Sequence, residues 1–135
     1  MSRPHYYNWW RGNVTTIIRR YPMLRARKEA KQAQSLTANY SGMPKGGGAG
    51  RNTEAVALRG LSAEEERCLR AVEKAIEDVG RQQTGGEVLR VVEMYHWRGV
   101  RNFETVGDLL HMSRNTAKRR NDKFVAAVAR NLGYR

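Results

Sequence analysis

Between Thr105 and Lys123 the chain reads TVGDLLHMSRNTAKRRNDK, a stretch with room for little but two short helices joined by a tight turn. Thr105 is suited to cap the first helix, and Asp108 favours that helix's positive end. Val106, Leu109 and Leu110 fall on one face at helical spacing. Ser113 follows a short break and predicts the cap of a second helix that begins at Arg114. His111 stands in the turn, where a backbone tending to positive φ usually selects Gly; His tolerates that conformation better than most residues. Gly107 is small where the first helix must press on the second, and Ala117 is its small counterpart. The spacing turns Arg114, Asn115, Lys118 and Arg119 outward, where they can reach phosphates and the edges of guanine or adenine. The expectation is a helix-turn-helix that binds DNA. The plainer reading is a helical hairpin whose basic face is only solvated.

The formal charge of +12 points to a polyanionic partner, held by forces that salt weakens steeply. A basic protein on a membrane surface is the competing reading of that charge. No stretch approaches the roughly 20 apolar residues that span a bilayer, so no membrane partner is expected. The N-terminus has no apolar signal core, and a cytosolic protein is inferred. Cys68 is alone, which excludes an internal disulfide and a cysteine zinc site. Hydrophobic residues make up 40% of the chain, which suits a helical core of modest size.

Residues 1–33 read as a basic amphipathic helix, broken near Pro22. Tyr7, Trp10, Val14, Ile17, Tyr21 and Leu24 recur at steps of three and four. The opposite face carries Arg11, Arg19, Arg20, Arg25, Arg27, Lys28 and Lys31, with Glu29 as the only acid. This helix either packs on the C-terminal domain or a second copy, or lies along DNA as a basic arm. Its candidates for the DNA backbone are Arg19, Arg20, Arg25, Arg27, Lys28 and Lys31. Residues 34–52 lose all periodicity and read as a flexible linker, because Gly46 to Gly48 cannot hold a helix. Residues 53–135 then read as a helical domain able to fold alone, with its helix-turn-helix at about 105–123.

Within that domain Thr53 to Arg59 predicts a turn or two of helix ending at Gly60. Ser62 and Glu65 form an S-x-x-E capping box that opens a long helix. Leu69, Val72, Ile76 and Val79 make its buried stripe, and Gly80 closes it. Glu64, Glu65, Glu66, Glu73, Glu77 and Asp78 make this the acidic part of the molecule, either suiting the helix dipole or presenting a docking face. A further helix is expected from Glu87 to about Trp97, with Val88, Leu89, Val92 and Tyr95 inward and a polar connection from Arg98 to Asn102 after it. Phe124, Val125, Val128 and Leu132 extend the apolar stripe begun at Ala117, and Gly133 ends it.

His5, His96 and His111 do not fall at metal-ligand spacing with acids or the lone Cys68. Ser113 and Cys68 have no recognisable activating context. No catalytic residue, metal site or cofactor is therefore assigned, and an enzyme is not expected. His96 and Trp97 read as a partly buried pair at a helix end.

The order of these parts resembles the RinA and ArpU family of phage and prophage late transcription regulators. The resemblance rests on Tyr95, Thr105, Gly107, Leu110, Ser113, Thr116, Arg119, Arg120 and the closing Leu132–Gly133. The C-terminal half is similar to the promoter-reading fourth region of bacterial sigma factors. This likeness implies an all-α fold and a protein that activates late genes from a promoter in the cytoplasm of a bacterial host. It also implies that the second helix of the motif enters the major groove. Ser113, Arg114, Asn115, Thr116, Lys118, Arg119, Arg120 and Lys123 are the DNA-binding candidates. Of these, Arg114 and Asn115 suit base edges, Lys118 and Arg119 suit bases or phosphates, and Arg120 and Lys123 suit phosphates or solvent. Double-stranded DNA is the expected partner, with RNA polymerase or a second copy of the chain on the acidic helix. Two rival readings are a small terminase subunit, assembling as a ring on packaging-site DNA, and an antiterminator-like protein that clamps polymerase without reading sequence.

Overall fold

A computed structural model describes residues 9–41 and 60–134, leaving aside the side chains of 34–41. Tyr7, His5, the glycine run at Gly46 to Gly48 and the turn expected at Thr53 to Arg59 lie outside the described residues. The fold is all-α. Helix α1 spans Arg11–Ser41, α2 Ala63–Gly80, α3 Gly85–Val92, α4 Phe103–Leu110 and α5 Arg114–Asn131, with a π-helical turn at Glu93–Trp97 between α3 and α4. No helix among the described residues is long and apolar enough to cross a membrane.

Helix α5 is the centre of the packing and touches each of the other four helices. Its C-terminal half supplies Phe124, Val125 and Val128 to the main core, Leu132 follows at its end, and α2 completes the core with Leu69, Val72 and Val79. Val88 and Val92 of α3 close one side. Val14, Ile17, Ile18, Tyr21 and Leu24 of α1 close the other. The basic helix therefore packs on its own chain. Five side chains of this core come from outside the 53–135 range that was expected to fold alone.

Helix α1 departs from expectation twice, and the structure accounts for the first departure. The expected break at Pro22 is absent, and the helix continues to Ser41, through the first eight residues assigned to the linker. Proline has no N–H to offer the carbonyl four residues back, which is that of Ile18. Trp97 supplies the missing donor: its indole Nε1 donates to the Ile18 oxygen at 2.8 Å. The same indole ring lies 5.4 Å from the ring of Tyr21. An unpaired carbonyl is the usual consequence of an interior proline, and here it is satisfied from a neighbouring element.

Helix α2 begins as the sequence predicts. Ser62 Oγ accepts from the Glu65 N–H at 3.1 Å, and Glu65 Oε1 accepts from the Ser62 N–H at 3.0 Å. That Ser62 donor, with Arg27 and Arg20 beside it, holds the Glu65 carboxyl below its usual range, although burial opposes them. Helix α3 starts at Gly85, two residues earlier than expected, because the chain doubles back tightly on α2. A Cβ at Gly85 would sit 2.2 Å from the carbonyl oxygen of Val79. Val91, which the sequence reading passed over, is buried here, and Leu89 is only half-buried.

The helix expected to reach Trp97 instead widens at Glu93, where the Arg98 N–H reaches back five residues to the Glu93 carbonyl at 2.8 Å. A π turn rotates successive side chains off the α-helical register. Tyr95, His96 and Trp97 consequently go three ways. Tyr95 stacks on Phe103, with ring centroids 4.1 Å apart. His96 enters the interior towards α5 and is fully buried, not half-exposed as expected. Trp97 turns to α1.

Candidate nucleic-acid interface

The α4–turn–α5 unit rests on a small second core of Val91, Val106 and Ala117, flanked by Phe103, Leu110 and Met112. Asn102, not Thr105, caps α4. Its Oδ1 accepts from the N–H groups of Glu104 at 2.8 Å and Thr105 at 3.3 Å. Asn is the stronger cap, and starting at Phe103 also lets that ring stack on Tyr95. The buried face of α4 is then centred on Phe103, Val106 and Leu110. Leu109, expected inward, is 52% exposed.

The turn forms as its residues suggest. His111 has φ 61° and ψ 47°, the left-handed conformation, which lets the Met112 N–H return to the Gly107 carbonyl at 2.9 Å. Gly107 is needed for close approach: a Cβ there would lie 2.4 Å from the Met112 carbonyl oxygen. Its tight neighbours are the turn and the start of α5, while Ala117, expected opposite it, packs on Val91 and Val106. Ser113 caps α5, its Oγ accepting from the Thr116 N–H at 3.1 Å.

Arg114, Asn115, Lys118, Arg119 and Lys123 are all exposed along the first turns of α5. None of them is in an ion pair with an acid among the described residues. Arg119 reaches only the Thr116 hydroxyl, at 3.5 Å. The N-terminus of α5 adds its own partial positive charge at the same end. Arg120 is set apart from this group. It turns sideways to Glu87 of α3, Nε to Oε1 at 2.9 Å, so its charge is compensated within the fold.

The six candidates on α1 divide in a similar way. Arg20 and Arg27 share the Glu65 carboxylate, at 3.3 and 3.1 Å. Arg27 also donates to the Gly60 carbonyl at 3.0 Å. Arg25 pairs with Glu29 at 3.1 Å. Lys28 is half-buried, and the stem of Lys31 lies against Gly60. Arg19 alone turns to the π turn. Its Nε donates to His96 Nδ1 at 3.3 Å, and its guanidinium lies 5.9 Å from the centroid of the Tyr95 ring.

Because an arginine can only donate, His96 Nδ1 must accept and the ring proton sits on Nε2. Nε2–H then donates to Asn121 Oδ1 of α5 at 2.7 Å. Burial pushes the His96 pKa down to about 4 against the Asn121 hydrogen bond, and the guanidiniums of Arg19, Arg101 and Arg11 push the same way as burial. The ring is neutral at physiological pH. Arg11 is ion-paired with Asp122 of α5, and Arg101 donates to the carbonyls of Tyr95 and His96.

The His96–Asn121 pair and Arg101 were not singled out from sequence. Asn121 did leave a trace, since it is a polar residue at a position that the stripe through Ala117 and Phe124 turns inward. Arg101 left none, because the carbonyls it caps are presented by the π turn. No family model, curated protein or solved structure matches this chain.

Proposed function

We propose that this chain is a sequence-specific DNA-binding transcription activator of phage or prophage late genes. In this reading α5 enters the major groove. Arg114 and Asn115 reach base edges, and Lys118, Arg119 and Lys123 reach bases or phosphates. The observation that carries the reading is the uncompensated basic turn of α5. Four cations, Arg114, Lys118, Arg119 and Lys123, cluster there with Asn115, all exposed and none paired with an acid among the described residues. The late-gene role, the bacterial host cytoplasm and the contact with RNA polymerase rest on the resemblance to the RinA and ArpU family. The outer face of α2, with Glu73 and Glu77, is the surface offered to polymerase.

Binding to tiled duplexes from the source replicon, at about 150 mM salt with competitor DNA, tests this. One preferred tile is expected. Arg114→Ala or Asn115→Ala should weaken that tile by about 1–3 kcal/mol and leave scrambled duplexes nearly unaffected. Equal affinity for every tile would overturn the sequence-reading role. A second reading, the small terminase ring, is favoured by Trp9, which is 70% exposed at the start of α1. Light scattering separates the two, since a closed ring of many copies would replace the activator reading.

A further inference from the structure

Arginines that hold a nucleic-acid backbone must be fixed in place without being neutralised. On α1, Arg20, Arg25 and Arg27 fail the second condition, because each lies against a carboxylate. Arg11 fails it as well, being paired with Asp122. Arg19 meets both. Its partners are a neutral imidazole and the face of Tyr95, which position the guanidinium and leave its charge whole. Arg101 meets both in another way, since it is held only by the backbone carbonyls of Tyr95 and His96.

These two side chains come from elements far apart in sequence and converge on one residue. Arg19 is bound to the ring of His96, and Arg101 to its carbonyl. The other ring nitrogen of His96 is bonded to Asn121, three residues along α5 from Lys118. His96 thus ties both arginines to α5 through its bond to that helix. Both are exposed, and each guanidinium keeps further N–H donors beyond those already used. A planar fork of donors suits a phosphate better than it suits a base edge reached from the side.

We propose that Arg19 and Arg101 are phosphate ligands that hold the DNA backbone along the flank of α5 while its first turns read the bases. This rests on the proposed function and adds a second wall to the same site. His96 is a positioning residue in it: its neutral ring, anchored by Asn121, aims Arg19.

The test is the salt dependence of duplex binding by the full chain, on the preferred tile and on a scrambled one. Arg19→Gln and Arg101→Gln should each flatten the slope of log affinity against log salt by about 0.9, equally on both duplexes. Arg19→Lys should keep the slope, and Arg70→Gln, at an exposed position on α2, should change nothing. Thermal melts check that each variant is folded. Should Arg19→Gln unfold, Arg101→Gln and Arg19→Lys carry the test. Unchanged slopes for the Gln variants, with a reduced slope for Lys118→Gln, would overturn this proposal and leave the DNA-reading function standing. Absence of any salt-sensitive duplex binding by the wild-type chain would instead remove the function itself, and this site with it.

Discussion

His96 bonds the π turn to α1 and α5, and its charge state is linked to whether they stay together. The folded protein holds its pKa at about 4, below the ordinary histidine value of 6.5. Between these values the unfolded chain binds the proton and the folded chain does not. The contribution is therefore fully present above about pH 6.5 and is lost as pH falls towards 4. That difference corresponds to something on the order of 3 kcal/mol. Melting temperature should drop across this window in the wild type, and the drop should largely vanish in His96→Gln. An equally steep loss in that variant would assign the acid sensitivity to carboxylates such as Glu65. His111 shows the opposite case, a residue whose conformation could be read locally. Its left-handed backbone follows from standing where a helix must stop and turn, a demand set by Gly107 and Ser113 close by in sequence.

At the scale of elements, the capping box of α2, the Ser113 cap of α5 and the end of α5 near Gly133 were all legible. Each depends on groups within about four residues. The start of α4 was misplaced because Asn102 and Thr105 can both cap, and the choice was made by Phe103 stacking on Tyr95. The continuity of α1 was illegible for a stronger reason: the group that rescues Pro22 is Trp97, on another element. A double-mutant cycle tests that account. Trp97→Phe should cost about 1–3 kcal/mol in the wild type, since it leaves the Ile18 carbonyl unpaired. It should cost distinctly less in Pro22→Ala, where residue 22 regains an N–H for the same carbonyl. Equal costs in the two backgrounds would show that the indole matters only for packing.

For the whole molecule, α1 is part of the core, and the fragment 53–135 should not fold cooperatively. It lacks Val14, Ile17, Ile18, Tyr21 and Leu24. Burial of apolar side chains of this kind contributes about 1.5–3 kcal/mol each, so the deficit rivals the entire 5–15 kcal/mol typical of a domain. The fragment should give a broad, weak thermal transition by circular dichroism, and adding residues 9–41 as a peptide should sharpen it. A sharp transition in the fragment alone would return α1 to the status of an appended arm.

Local sequence was sufficient to determine an all-α chain, both ends of α2 and α5, the turn at His111 and the exposed basic side of α5. Periodicity, capping and backbone preference all act within a turn or two of helix, and a single sequence contains that information. Tertiary structure alone decided which charges stay available. With 25 Lys and Arg against 13 Asp and Glu, very many pairings were open. Packing chose Glu65 for Arg20 and Arg27, Glu87 for Arg120, and a neutral His96 for Arg19. A partner is selected by which surfaces meet when the core closes, and that depends on residues far apart in the chain.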